Sequence, residues 1–334
     1  MMKQSACLFA AVCLSAATLC AQQPGPLTLE KTITLAGVTG KFDHFAVDEV
    51  GNRLFASAAG AGAVLVTDLA SDKIVEKLEG LGKPHGLAWI PDTGRLFVTD
   101  GAKGELDVYA GMPLKRIQSI RLAEDADDLV YDGETKLLYI GFGGTNAANP
   151  GRVAVVDTTT FRLLTTLSVT AHPEGLEIDP LTDRIFANIA DSGQVVVIDG
   201  KTQQIVATWP LHKCKDNTPL AFDVNDSLLL VGCRTPAQIV VLNGKTGLEG
   251  AAMSSNTGAD DLFFEPATRR AFLITGAGTV ETFAVSAGGN LTRLAVTQTE
   301  RGAKTGYLDA RHRRLFIGIP GTTGASRVRV YTTN

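Results

Sequence analysis

The chain has 334 residues, 45% hydrophobic and 20% charged, which is enough apolar material to bury a sizeable core and too much for a disordered chain. Its 31 basic and 35 acidic residues leave a formal charge of −4 with no long basic run, which disfavours a surface for nucleic acid or anionic lipid. The 35 glycines are spread along the whole chain and helical periodicity is missing, so short strands and tight turns are expected, an all-β fold.

The first element is a targeting segment. Lys3 is its only charge, Ser5 to Ala21 is uncharged and rich in small apolar residues, and Leu19-Cys20-Ala21 forms a cleavage site. Residues 1–21 are therefore expected to leave as a signal peptide and the mature chain to begin at Gln22, in the periplasm or secreted. Acylation of Cys20 is the alternative, disfavoured because Leu19 stands where that site wants a small residue. The apolar stretch falls short of the about 20 residues a membrane span needs, so no transmembrane anchor is expected. Cys7, Cys13 and Cys20 depart with this segment; Cys214 and Cys233 remain, and an oxidising compartment predicts a disulfide between them.

Residues 22–334 read as one domain built from a repeat. Asn52-Arg53-Leu54-Phe55 matches Gly94-Arg95-Leu96-Phe97, Lys136-Leu137-Leu138-Tyr139, Asp183-Arg184-Ile185-Phe186, Asp226-Ser227-Leu228-Leu229, Arg269-Arg270-Ala271-Phe272 and Arg313-Arg314-Leu315-Phe316. Seven units at intervals of 42 to 47 residues carry the period of a β-propeller, in which each unit is a four-stranded antiparallel blade. In the second unit Gly86 to Ile90 reads as the inner strand, Arg95 to Thr99 as the second, Glu105 to Tyr109 as the third and Lys115 to Leu122 as the outer one, separated by Gly, Pro and Asp turns. Third strands end in Asp68, Asp157 and Asp199, where an Asx contact would stabilise the following turn. The seventh unit stops one strand short. Thr28 to Leu35 has the pattern of an outer strand, so the N-terminal strand is expected to complete the last blade and remove the open edge.

Repeats such as Arg95-Leu96-Phe97-Val98-Thr99-Asp100, with the segments Phe42-Asp43-His44-Phe45-Ala46-Val47-Asp48 and Gly232-Cys233-Arg234-Thr235-Pro236-Ala237, resemble the YncE-like family of seven-bladed, YVTN-repeat β-propellers of the exported bacterial type. The resemblance spans roughly residues 28–332 and implies the fold, while that family is largely without an assigned reaction. Neither Trp-Asp dipeptides nor Gly-His pairs occur, so the intracellular WD40 class is not indicated. Linear signatures for covalent haem, the His-Glu-x-x-His zinc helix, the Gly-x-Ser-x-Gly nucleophile elbow and the phosphate-binding loop are missing. A propeller site is assembled from different blades, so their absence does not exclude an enzyme.

The loops that enter the inner strands lie at one face, beside the axis. Matching the inner strands places Asp43, His85, Asp127, Glu174, Thr218, Asp260 and Lys304 at equivalent positions, with His44, Gly86, Asp128, Gly175, Pro219, Asp261 and Thr305 one step on. So many carboxylates around one axis need a compensating cation, protonation or water. On one reading they cap loop amides and pair with Lys304 between Asp260 and Asp43; on the other, the arc Asp43, His85, Asp127 and Glu174 holds a polar ligand or a divalent metal ion, whose identity nothing in the sequence selects. Arg234 is a candidate anion contact or an ion-pair partner for the acidic rings. The Gly-rich stretches 141–151 and 319–326 are expected around the same mouth, as tolerated insertions or as a lid. Trp89 and Trp209 read as blade-packing aromatics; His172, near the funnel, and His312, in a turn on the opposite face, are assigned no role. The function expected is that of a monomeric scaffold binding a small polar ligand or an envelope protein through the funnel. The alternative is a funnel-site enzyme, either a metal-dependent hydrolase or lactonase or a quinoprotein-like oxidoreductase.

Overall fold

Turn and strand alternate throughout residues 25–322 and 324–334, which the computed structural model describes; the expected signal peptide lies outside the described residues. The strands form seven four-stranded antiparallel sheets, as the repeat requires. Blade 1 consists of Phe45–Asp48 (inner), Arg53–Ala58, Ala63–Asp68 and Lys73–Leu78 (outer), and the five blades that follow repeat this order. In blade 7 the strands Gly306–Asp309, Arg314–Ile319 and Ser326–Thr333 are completed by the N-terminal strand Leu27–Leu35, which runs antiparallel to the third strand from Leu27 opposite Thr333 to Leu35 opposite Ser326. Apart from a single 3-10 turn at Ala59–Ala61 the described residues contain no helix, and no helix among them is long and apolar enough to cross a membrane.

The repeated aromatic explains why the blades stack. Phe55, Phe97, Tyr139, Phe186, Phe272 and Phe316 are each 0–1% exposed on the second strand of their blades. Successive strand residues face opposite sides of a sheet. The residue before each aromatic therefore packs against one neighbouring blade and the aromatic against the other: Leu54 joins Ile33, Leu35 and Phe316 at the interface of blades 7 and 1, while Phe55 joins Leu87, Leu96 and Val98 at that of blades 1 and 2. The core of the described residues is thus seven apolar seams between blades. The position that opens each second strand follows a residue in the left-handed region, at Asn52, Gly94, Lys136, Asp183, Ser227, Arg269 and Arg313, with φ between 53° and 62° at all but Asn52 (51°).

That conformational marker corrects the register of blade 5. The repeat residue is Leu228, not Ser227: Ser227 holds the left-handed turn, Leu228 pairs with Asp223 as Arg53 pairs with Asp48, and Leu230 takes the place of Phe55. Three consecutive leucines, all able to fill either seam, carry no aromatic to fix the register. The Asx turns expected after the third strands are present: Asp68 accepts from Ser71 N–H at 2.6 Å, Asp157 from Thr159 N–H at 2.8 Å and Asp199 from Thr202 N–H at 2.8 Å. Cys214 and Cys233 form the expected disulfide, with Cα atoms 6.1 Å apart, inside the seam between blades 4 and 5.

Candidate functional site

Backbone irregularity at the head of each inner strand aims side chains at the axis. In blades 1, 3 and 7 the inner strand begins only at Phe45, Leu129 and Gly306, so the preceding residues leave the ladder. In blades 2, 4, 5 and 6 it begins earlier but is broken by register shifts between Pro84 and Leu87, Pro173 and Leu176, Asn217 and Leu220, and Ala259 and Asp261. A bulge frees a residue from pairing and redirects its side chain. His85, Glu174, Thr218 and Asp260 sit in these bulges and line the funnel. The position one step further on carries charge only in blades 1, 3 and 6. A β-carbon on Gly86 would lie 2.6 Å from the Asp127 carbonyl oxygen, and one on Gly175 2.6 Å from that of Thr218, because the next blade's loop passes against both glycines.

Asp43, His44, His85, Asp127, Asp128, Glu174, Arg234, Asp260, Asp261 and Lys304 all line one cavity of about 370 Å³, together with Glu177 and the apolar side chains of Leu87, Leu129, Leu176, Leu220 and Leu262. Part of this set is occupied by structural work. Asp128 accepts from Leu176 N–H at 3.1 Å and Asp261 from Gly306 N–H at 2.7 Å, so each caps the inner strand of the next blade. Asp260 pairs with Lys304 at 2.5 Å and with Arg234, whose Nε also donates to the Ala259 carbonyl at 2.9 Å. Lys304 therefore belongs to Asp260, and Arg234 is an ion-pair partner of the ring.

The remainder is a mixed cluster of imidazoles and carboxylates. His85 Nδ1 lies against Asp43 Oδ2 and 3.1 Å from Asp127 Oδ1. His44 Nδ1 lies 3.3 Å from Asp261 Oδ1, with its Nε2 3.8 Å from Asp43. His172, given no role by the sequence, belongs here: its Nε2 stands 3.3 Å from Asp127 Oδ2 and its Nδ1 meets the Gly143 carbonyl at 2.5 Å. The loop after the second strand of blade 3 brings it in. Gly144 has φ +84°, and a β-carbon there would fall 2.3 Å from the His172 nitrogen, so the loop can press against His172 only where glycine stands. The expected arc is thereby divided in two. Asp43, His85 and Asp127 form one group and Asp127, His172 and Glu174 another, each with its ligand atoms within 4.8 Å of one another. Glu174 itself makes no hydrogen bond or ion pair among the described residues, and only the more distant charges of His172 and Arg234 favour its carboxylate.

Electrostatics follow from these neighbours. Burial alone would depress the imidazoles, yet Asp127 and Asp43 raise His85 to about 9, Asp127 raises His172 to about 9, and Asp128 and Asp261 hold His44 well above its ordinary value. Against the cost of burial, His172 and His85 hold Asp127 well below the usual carboxylate range. Burial, reinforced by Asp127 and only partly offset by His172 and Arg234, raises Glu174 to about 7. Burial also raises Asp128 to about 6 and Glu177 to about 8. The ring's compensation therefore comes from three imidazolium ions, Arg234 and Lys304, with desolvation favouring protons on Asp128, Glu174 and Glu177.

Glu177 gives a direct test of this electrostatic picture. Its carboxyl holds a proton more tightly in the folded chain than in the unfolded one, so the stability linked to it is complete below pH 4.5 and lost as pH rises through about 8. Each unit is worth ~1.4 kcal/mol before water reaching the funnel reduces it. Glu177→Gln is expected to gain on the order of 1–3 kcal/mol over the wild type at pH 9 and nothing at pH 4. Denaturant melts at both pH values check this; an equal difference at both would contradict it.

Other features lie outside the cluster. Trp89 packs on Phe55 with ring centroids 5.2 Å apart and Trp209 on Phe186 at 5.7 Å, both within blade seams. His312 sits in the turn capped by Asp309, at the far end of the inner strands, and both it and the neighbouring Glu49 are exposed. The last blade's loop is tied to the entrance of blade 1 by Ser326 Oγ donating to the Gly40 carbonyl at 3.1 Å.

No family model and no curated protein matches the chain. Solved structures do: one chain of a structure titled "Crystal Structure of Mitotic Checkpoint Complex" superposes with a TM-score of 0.78 over 98% of each chain, at 15% identity. Likeness at that identity is one of fold.

Proposed function

We propose that the protein is an exported, YncE-like propeller that works as a binding scaffold and takes a small charged ligand in its funnel. The observation that carries this reading is the convergence of charged side chains from all seven blades on one cavity of about 370 Å³, a volume at the lower end of small-molecule sites. Capping accounts for Asp128 and Asp261, but it leaves Asp43, Asp127 and Glu174 without a backbone amide to serve. The concave, charged lining suits a solute of a few atoms better than the flat patch a folded partner would need. The buried Cys214–Cys233 disulfide supports export to an oxidising compartment. A second reading has one observation in its favour: a Glu174 carboxyl raised to about 7 beside His172 can exchange a proton near neutrality, as a funnel-site hydrolase would require.

The test is a thermal-shift and calorimetric panel on chelator-treated mature protein, using small carboxylates, amines, zwitterions and polyols. A ligand at 100 times its Kd stabilises the native state by about 2.7 kcal/mol. At least one class is expected to raise the melting temperature and to lose that effect in Asp127→Asn. Silence across this panel and across divalent cations would overturn the binding reading, and turnover of an ester or lactone abolished by Glu174→Gln would favour the enzyme.

A further inference from the structure

We propose that the funnel holds a pair of divalent cations bridged by the Asp127 carboxylate, one ligated by Asp43 and His85 and the other by His172 and Glu174. The inference rests on the funnel being a ligand site and names the first occupant of that site.

The arrangement is symmetrical about Asp127. Its Oδ1 faces His85 Nδ1 at 3.1 Å and its Oδ2 faces His172 Nε2 at 3.3 Å, so its two oxygens are already divided between two imidazoles. Beyond each imidazole stands one further carboxylate, Asp43 on one side and Glu174 on the other, and both groups bring three ligand atoms within 4.8 Å of one another. Each cation would receive one nitrogen and two carboxylate oxygens, leaving positions for water or a small anion. With both dications bound, the three carboxylates leave a single positive charge, which suits an additional small anion.

Three observations point to a ligand rather than to ion pairing within the cluster. His85 is only 4% exposed and lines the cavity, yet neither of its ring nitrogens has an aligned hydrogen-bond partner. A buried imidazole facing two carboxylates without an aligned proton is what an absent shared cation would satisfy. His172 is held the way metal-bound histidines are held: its Nδ1 donates to the Gly143 carbonyl at 2.5 Å, which leaves Nε2 to face Asp127. Glu174, the fifth donor, is the funnel carboxylate without a hydrogen bond or ion pair among the described residues. The backbone supports the pair as well, because His85 and Glu174 occupy equivalent bulges in blades 2 and 4, on either side of the loop that carries Asp127 in blade 3.

Donors of imidazole nitrogen and carboxylate oxygen suit manganese, cobalt, iron or zinc better than calcium or magnesium, which prefer all-oxygen shells. A bridged pair of such ions binds a carboxylate or phosphate oxygen between them, so the class of small ligand implied is an anion with two oxygens close together.

The experiment is titration of the chelator-treated mature chain with zinc(II) by calorimetry and elemental analysis, and with manganese(II) followed by electron paramagnetic resonance. Two ions per chain and a spin-coupled manganese signal are expected in the wild type. Asp43→Asn and Glu174→Gln should each reduce the stoichiometry to one and remove the coupling, whereas His312→Ala, on the opposite face, should retain two ions. A wild-type stoichiometry of one or none would overturn the proposal without depending on how any variant folds, and two ions retained in both folded funnel variants would overturn it as well. If no metal binds while an organic solute does, the two-ion site falls and the binding scaffold stands; if neither binds, both fall.

Discussion

A chain lacking residues 25–36 is expected to lose its cooperative unfolding transition and to aggregate. Those residues contain the strand Leu27–Leu35, the outer strand of blade 7, paired along its length with Ser326–Thr333. Ile33 and Leu35, each 1% exposed, pack with Phe45, Leu54, Phe316, Val328 and Val330 in the seam that closes the ring. Burying one aliphatic side chain of this size contributes about 1.5–3 kcal/mol. With Leu27, three such side chains amount to roughly 5–9 kcal/mol, comparable to the whole net stability of an ordinary domain. The deletion also bares the edge of the Ser326–Thr333 strand, which can then pair with another copy. Denaturant unfolding and size-exclusion chromatography read both effects. A monomer with an unchanged midpoint would mean that the ring does not depend on this strand.

Replacing Cys214 and Cys233 together by serine is expected to cost about 3 kcal/mol, the loop-closure entropy of a cross-link spanning 19 positions. For a chain of this size that lowers the melting temperature by roughly 5 °C. Both sulfurs are buried among Phe186, Val195, Leu211 and Leu220, so the hydroxyls add an unsatisfied polar group to the loss. The effect reaches the funnel, because Cys233 directly precedes Arg234, which braces Asp260. A reductant should produce a smaller shift in the wild type, because buried thiols lack the hydroxyl penalty, and none in the double variant. Identical melting curves for all four samples would show that the cross-link contributes nothing to stability.

The architecture was legible because each repeat unit shows it more than once: an aromatic that fills a seam, a turn residue that accepts the left-handed conformation, and an aspartate that closes the next turn. Where the aromatic is missing, reading fails locally. Leu228-Leu229-Leu230 has no aromatic, so the blade 5 register slipped by one residue. The ring positions were also legible, since they depend only on counting from each inner strand. How the charges are shared was not. Asp127 faces His85 through one oxygen and His172 through the other because three blades and one loop converge on it, and no local pattern encodes that convergence. His172 lies two residues ahead of its blade's ring position, and a glycine loop from the preceding blade folds it in. Glu177 lies three residues past the ring in the inner strand Pro173–Asp179, where two other carboxylates stand beside it and nothing local sets it apart.

These charges have two explanations, and Glu174 separates them because it has no internal partner to lose. Its carboxyl, raised to about 7 by burial and by Asp127, is unfavourable in the unliganded funnel at neutral pH, so a neutral amide of the same shape should relieve the fold. The decisive measurement is the melting temperature of Glu174→Gln beside the wild type at pH 8, each with and without saturating zinc(II). A ligand site predicts that the variant melts at the same or a higher temperature without the ion and gains less from it than the wild type does. A variant that melts lower without the ion, and responds to it as fully as the wild type, would show that the funnel carboxylates serve the fold alone.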